Sequence, residues 1–334
     1  MTTTLSFRRR RTAATLGLGA ALLLSACGTS TDTSAADAAT DTGYPVTVDD
    51  CAGEKTFEQK PESVMTIGTA AISLLDAAGA SGQITARAGE FGAPLPDDLD
   101  TPPSDAEVVD PSDPTAESII GAAPDVVYGY GLFSAKPEAL EQAGIPMLTV
   151  AGECGHDAST GKAAGIDFST VSDDVRRLGR VFGTSDVADE NADALDATVK
   201  KLSAESTGDG ASAAWLYYFS SSESLSAYGA TSMANAVLDA ADLENVFGTQ
   251  QESYVKVSME SLLEDDPTWL VLSYGLYGES EADARKQLLA EPGANDLTAV
   301  KEGRLILVPG TSSEASQQSV KGLRAVVDAL ADGR

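Results

Sequence analysis

The chain has 334 residues, with 22 Lys plus Arg against 51 Asp plus Glu and a formal net charge of −29 at pH 7. That balance excludes nucleic acid as a partner and adsorption to anionic lipid, both of which need clustered cations. With one histidine in the chain, acid–base chemistry would have to rest on carboxylates, and a zinc site at Cys154 would find only His156 beside it.

Arg8, Arg9, Arg10 and Arg11 precede an apolar stretch over 12–24. The stretch is too short to span a bilayer and suits the core of a signal peptide. It closes on Leu24-Ser25-Ala26-Cys27-Gly28, which resembles a bacterial lipobox, with Cys27 as the lipidated first residue of the mature chain. The arginines also leave twin-arginine export open. Residues 1–26 hold four Arg and no acid, so their removal takes the charge to −29 − 4 = −33. Residues 27–43 are small, polar and without periodicity, which predicts a flexible tether spanning about 20–25 Å. The diacylglycerol of a lipoprotein supplies the two chains that stable anchoring needs. The expected location is the outer face of the cell membrane, held through the anchor alone.

The folded body begins near Tyr44. Strands predicted at 46–48, 63–67, 84–87, 126–130 and 147–150 alternate with helices at 70–78, 115–122 and 137–143, giving an α/β lobe over 44–165. Once Cys27 is set aside, Cys51 and Cys154 form an even pair in an oxidising compartment. This predicts a disulfide from the lobe's first strand to a loop at its last strand, with two separate buried thiols as the alternative. Phe168, Val171, Val175, Leu178 and Phe182 then recur at three- and four-residue spacing. They predict an amphipathic connecting helix over 166–185, with a second helix through 187–204. In the second lobe, 186–334, strands fall at 213–219, 269–273 and 305–308. Its helices fall at 233–241, 258–265, 281–289 and 315–331.

One pattern occurs twice, 143 positions apart. Thr115-Ala116-Glu117-Ser118-Ile119-Ile120 leads to Pro124 and a strand ending in Tyr130-Gly131; Ser258-Met259-Glu260-Ser261-Leu262-Leu263 leads to Pro267 and a strand ending in Tyr274-Gly275. Each copy reads as a short capped helix, a proline turn and a buried strand. A repeat this long predicts two similar lobes, not a solenoid. The expected fold is α/β, two Rossmann-like lobes joined by a long helical spine, with a ligand cleft at the carboxyl ends of the strands. A spine that crosses once implies little hinge motion. Residues at strand carboxyl ends are then the cleft candidates: Arg87, Glu90 and Phe91, and Tyr128 and Tyr130, from the first lobe. Tyr217, Tyr218 and Phe219, with Tyr274 and Tyr277, face them from the second. Strand alternation should turn about half of 217–219 into the core, and Trp215 and Trp269 read as core. Rings with a flat face and a polar tip suit a bulky, partly apolar ligand.

Pro45-Val46-Thr47-Val48-Asp49-Asp50-Cys51-Ala52-Gly53, followed by Pro61-Glu62-Ser63-Val64, resembles the opening of the actinobacterial iron–siderophore substrate-binding lipoproteins. Phe168-Ser169-Thr170-Val171-Ser172-Asp173-Asp174-Val175 with Leu178-Gly179 is similar to their connecting helix. Leu243-Glu244-Asn245-Val246-Phe247, Val257-Ser258-Met259-Glu260 and Ala299-Val300-Lys301-Glu302-Gly303-Arg304 resemble landmarks of their second lobe, in the same order. The resemblance runs from about Tyr44 to Leu330 and implies capture of a metal chelate by a monomer that delivers it to an ABC importer, with no cofactor. It also implies that one surface glutamate per lobe docks on the permease dimer, at Glu117 and Glu260. Alone, a glutamate after a Thr or Ser cap only complements the helix dipole. A catecholate complex is strongly anionic and would want several cations where only Arg87 is placed, so a neutral or cationic ferric hydroxamate is the favoured ligand. Haem, with His156 and a tyrosine as iron ligands, and cobalamin are the alternatives within the same fold.

The rival class is an enzyme. The chain has no Gly-x-Ser-x-Gly elbow, Walker A or His-Glu-x-x-His, and the Gly-Lys at 161–162 is followed by Ala163. An extracellular carboxylate-dependent hydrolase would have to use acidic segments such as 97–100 and 264–266, which read as solvated turns.

Overall fold

A computed structural model of the chain describes residues 43–155, 165–219 and 224–333. The leader, the tether as far as residue 42, Cys27 and His156 lie outside the described residues. The body opens with β1 (Val46–Val48) and β2 (Lys55–Phe57), an antiparallel hairpin of its own. β1 was expected as the lobe's first sheet strand; instead it packs on the connecting helix.

The first lobe proper runs β3 (Val64–Ile67), α1 (Thr69–Ala77), β4 (Ile84–Ala88), β5 (Glu107–Asp110), α2 (Ala116–Ala122), β6 (Val126–Gly129), α3 (Pro137–Gln142) and β7 (Met147–Thr149). Its sheet is wholly parallel, in the order β5-β4-β3-β6-β7. Every residue of β3 and β6 is buried, because helices cover both faces of a parallel sheet. Cys51 and Cys154 are joined, with their Cα atoms 5.3 Å apart, and close a loop of 103 residues.

The spine is a helical hairpin, not a single crossing. α4 (Phe168–Phe182) starts on a capping box, the Asp167 side chain accepting from Thr170 N–H and the Thr170 hydroxyl from Asp167 N–H. It stops at Gly183, whose φ of 66° is the left-handed conformation a helix C-terminus favours. α5 (Ser185–Glu205) folds back along it, and a Cβ at Gly179 would sit 2.4 Å from that of Ala188. Only glycine permits so close a helix–helix approach.

The second lobe runs β8 (Ala211–Tyr217), β9 (Ser226–Tyr228), α6 (Met233–Ala240), β10 (Leu243–Asn245), β11 (Tyr254–Lys256), α7 (Met259–Asp265), β12 (Trp269–Tyr274), α8 (Glu281–Ala290), α9 (Thr298–Lys301), β13 (Leu305–Pro309) and α10 (Gln318–Asp332). β8, β12, β13 and β10 are parallel, while β9 and β11 add an antiparallel edge. The repeat holds through the helices and the proline turns, while the tyrosines at the strand ends differ by one position, Tyr130 lying beyond β6 and Tyr274 within β12. Thr115 and Ser258 cap α2 and α7, and left-handed Ala123 and Asp266 end them before Pro124 and Pro267.

One apolar core runs from β3 and α1 through α4, α5 and α10 to Trp215 on β8, so the lobes share packed side chains. Polar contacts add to it: Gln317 donates to the Ser73 carbonyl, Gln318 to Asp98, and Lys321 lies 2.7 Å from Asp98. A junction packed in this way resists hinge opening.

Candidate functional site

The carboxyl ends of both sheets face a cleft of about 510 Å³, within the size range of small-molecule sites. The second lobe supplies a tyrosine ladder. Tyr217 on β8, Tyr228 on β9 and Tyr254 on β11 lie on adjacent antiparallel strands, with Tyr228 and Tyr254 in direct register. Their ring centroids are 4.6 Å (Tyr217–Tyr228) and 5.7 Å (Tyr228–Tyr254) apart. Tyr228 shares a 2.8 Å hydrogen bond with the Ser313 hydroxyl. Burial holds the Tyr228 phenol well above its usual value and pushes Tyr217 up to about 12, so both are neutral in any physiological medium. Phe219 and Tyr277 extend the wall, 5.7 Å apart.

From the first lobe come Phe91, Tyr130 and Phe133. Tyr130 needs two glycines beneath it: a Cβ would approach its ring to 2.7 Å at Gly68 and its hydroxyl to 2.5 Å at Gly89. Phe91, itself at φ 51°, meets Tyr277 edge-on at 6.0 Å and joins the two lobes at the mouth. These rings remain partly solvent-exposed, at 39% for Phe91, 56% for Phe133 and 45% for Phe219. An exposed apolar patch of this kind marks a binding surface.

The charged residues described along the cleft are all acidic: Glu90, Glu153 and Glu314. Glu90 is held by Arg87, whose guanidinium donates to both carboxylate oxygens at 2.9 and 3.0 Å. Desolvation still moves the Glu90 carboxyl upward, with Arg87 opposing it. Glu314, on the turn after β13, accepts from the Thr69 hydroxyl at 2.5 Å, a bond between the two lobes. Its other oxygen is buried with no hydrogen-bond partner among the described residues. Burial is the main cause that lifts the Glu314 carboxyl to about 7, with the nearby Glu153 adding to it.

Of the residues expected in the cleft, Glu90, Phe91, Tyr130, Tyr217, Phe219 and Tyr277 line it. Four do not. Tyr128 is fully buried and points the other way, donating to Asp174 at 2.9 Å beneath the spine. Tyr218 alternates to the opposite face of β8, into the second lobe's outer core, and Tyr274 packs against that same core. Arg87 stands behind Glu90, donating to it through Nη1, and is not among the residues that line the cleft. Sequence reasoning missed Phe133, Glu153, Tyr228, Tyr254 and Glu314. The signal for Glu153 and Glu314 was available, since both follow strand carboxyl ends, β7 and β13, as Glu90 follows β4. Tyr228 and Tyr254 sit on three-residue strands too short to show a period.

Glu117 and Glu260 are exposed in the first turns of α2 and α7. Each helix precedes, and so runs antiparallel to, a parallel strand, which puts both helix N-termini on the cleft side of the molecule. The acidic segments have structural partners: Asp97 and Asp98 meet Lys321, and Asp266 accepts from Thr298 N–H and hydroxyl at 2.8 and 2.6 Å.

Two α/β lobes packed through a helical junction, with an aromatic cleft between their strand ends, define the bilobal binding-protein fold. The model of a family described as periplasmic binding protein matches residues 64–311, and the chain belongs to that family. Among solved structures, an ABC-type Fe3+-hydroxamate transport system from Saccharomonospora viridis is 26% identical, with a TM-score of 0.73 over 85% of this chain and 98% of that one. A periplasmic heme binding protein from Pseudomonas aeruginosa is 18% identical, with a TM-score of 0.65 over 81% and 92%. A periplasmic vitamin B12 binding protein from Vibrio cholerae is 14% identical, with a TM-score of 0.62 over 81% and 97%. No curated protein matches the chain.

Proposed function

We propose that this chain is the extracytoplasmic receptor of an ABC importer and that its cargo is a ferric chelate of the hydroxamate type. The observation that carries the reading is the lining of the cleft, eight aromatic rings with only acidic charged residues among those described. Rings suit the apolar arms of a chelator, and an acidic lining disfavours the anionic catecholates. The likeness to the Fe3+-hydroxamate structure of Saccharomonospora viridis supports the same choice. The chain acts as a carrier, not an enzyme; nucleotide hydrolysis belongs to the importer. A diacylglycerol on Cys27 holds the monomer at the outer face of the membrane, and the permease dimer receives Glu117 from one lobe and Glu260 from the other.

Two exposed carboxylates on the cleft side would set the choice and encounter rate of a basic partner through charge complementarity. Reversing both, as Glu117→Arg with Glu260→Arg, is expected to abolish cellular uptake of a ferric hydroxamate while the affinity of the purified protein is kept. Uptake at the wild-type rate, or affinity lost from a folded variant, would contradict the docking role.

A further inference from the structure

A carboxylate in a cleft wall whose second oxygen is buried without a hydrogen-bond partner is a costly thing to keep. Glu314 is such a group: Thr69 satisfies one oxygen, and no described cation reaches the other. It stands where the two lobes meet, bonded to Thr69 across them, and shares the cleft wall with eight aromatic rings. Tyr130 and Tyr228 are close enough for the Glu314 charge to act on their phenols. Aromatic faces around a carboxylate form a receptor for a cation, since the ring quadrupole and the carboxylate act in the same sense once water is displaced. Resting on the ferric-chelate reading above, we infer that Glu314 selects cargo by charge, receiving a cationic N–H donor such as a primary ammonium carried by the chelate.

The groups facing Glu314 are Thr69 from α1, Glu153 from the turn after β7, Tyr130 beyond β6 and Tyr228 on β9. Thr69 does not titrate, and burial keeps both tyrosines neutral. Among these groups Glu314 is the one whose carboxyl lies at about 7, and comparison with Glu314→Gln separates its contribution from those of Glu153 and Glu90. A cation needs the carboxylate, so preference for cationic cargo grows as pH rises through 7. Had the protonated acid donated to a ligand oxygen, preference would move the other way.

The test uses three ferric complexes of one linear trihydroxamate: with its terminal primary ammonium free, N-acetylated to remove that charge, and N-succinylated to replace it by a carboxylate. Dissociation constants are measured at pH 6 and pH 8 for the wild type and for Glu314→Gln. The amide is isosteric and neutral, the state that burial already favours, so the variant is expected to fold. The wild type should prefer the ammonium form over the acetylated one by about tenfold or more at pH 8, the scale of a desolvated charge pair. The preference should shrink at pH 6, be lost at both pH values in Glu314→Gln, and leave the succinylated form the weakest ligand. Equal affinity for all three complexes, or a preference untouched by Glu314→Gln, would overturn the inference and leave the ferric-hydroxamate reading standing. Binding of none of the three would overturn that reading and the inference with it.

Discussion

At the scale of single residues, two buried charged sites obey opposite logic. Arg177, on α4 of the spine, lies against Asp174, 2.6 Å away, and Asp50, 3.5 Å away, and donates also to the carbonyls of Asp49 and Thr149. Its partners are satisfied, Asp174 accepting from Tyr128 and from Ala151 N–H as well. The cluster is a clamp between hairpin, first lobe and spine. Arg177→Met would leave two buried carboxylates without their cation and should destabilise the protein by about 3–5 kcal/mol, read by urea unfolding. Glu314 is the reverse case, a carboxyl strained for want of a partner. Its folded value of about 7 lies above the ordinary 4.5. Between those values the native state binds more protons than the unfolded chain, so stability falls as pH rises from 4.5 to 7 and stays lower above. Glu314→Gln removes that loss. It should match the wild type in stability at pH 4.5 and exceed it at pH 8 by roughly 1–3 kcal/mol; an equal difference at both pH values would show that ionisation of Glu314 is not the cause.

At the scale of elements, the Cys51–Cys154 bond ties the hairpin to the turn after β7. Closing 103 residues should contribute about 2–5 kcal/mol through the unfolded state. Cys51→Ser with Cys154→Ser is expected to lower the denaturation midpoint accordingly, and an unchanged midpoint would count against the contribution. Elements also differ in how far they could be read beforehand. The helix at 168–182 was plain because five apolar side chains repeat at helical spacing, and β6 and β12 because they belong to a repeat. β2, β5, β9, β10 and β11 escaped notice, having three or four residues each and no room for a period of two to declare itself. The loss mattered most at β9 and β11, which carry Tyr228 and Tyr254 into the cleft. Tyr128 misled for a related reason: alternation fixes a side relative to strand neighbours, but not which side faces the ligand.

At the scale of the whole molecule, the bilobal plan was legible from the long repeat and the change of pattern at 166–185. Both spine helices were legible, but not the fold-back of the second along the first, since that turn hangs on the single glycine at 183. A shared core and polar contacts between lobes fit a receptor whose cleft stands preformed, so that little binding free energy is lost to closure. The proposed cargo of this cleft is a ferric hydroxamate. Trp215, one of two tryptophans in the chain, lies 6.4 Å from the ring of Tyr228 in the cleft wall, so its emission reports on occupancy. The direct measurement is a titration of that emission with a ferric hydroxamate, a ferric catecholate, haem and cobalamin. Saturable quenching at submicromolar concentration by the hydroxamate, with no response to the catecholate, is the predicted result. Tighter saturation by the catecholate, haem or cobalamin would contradict the account.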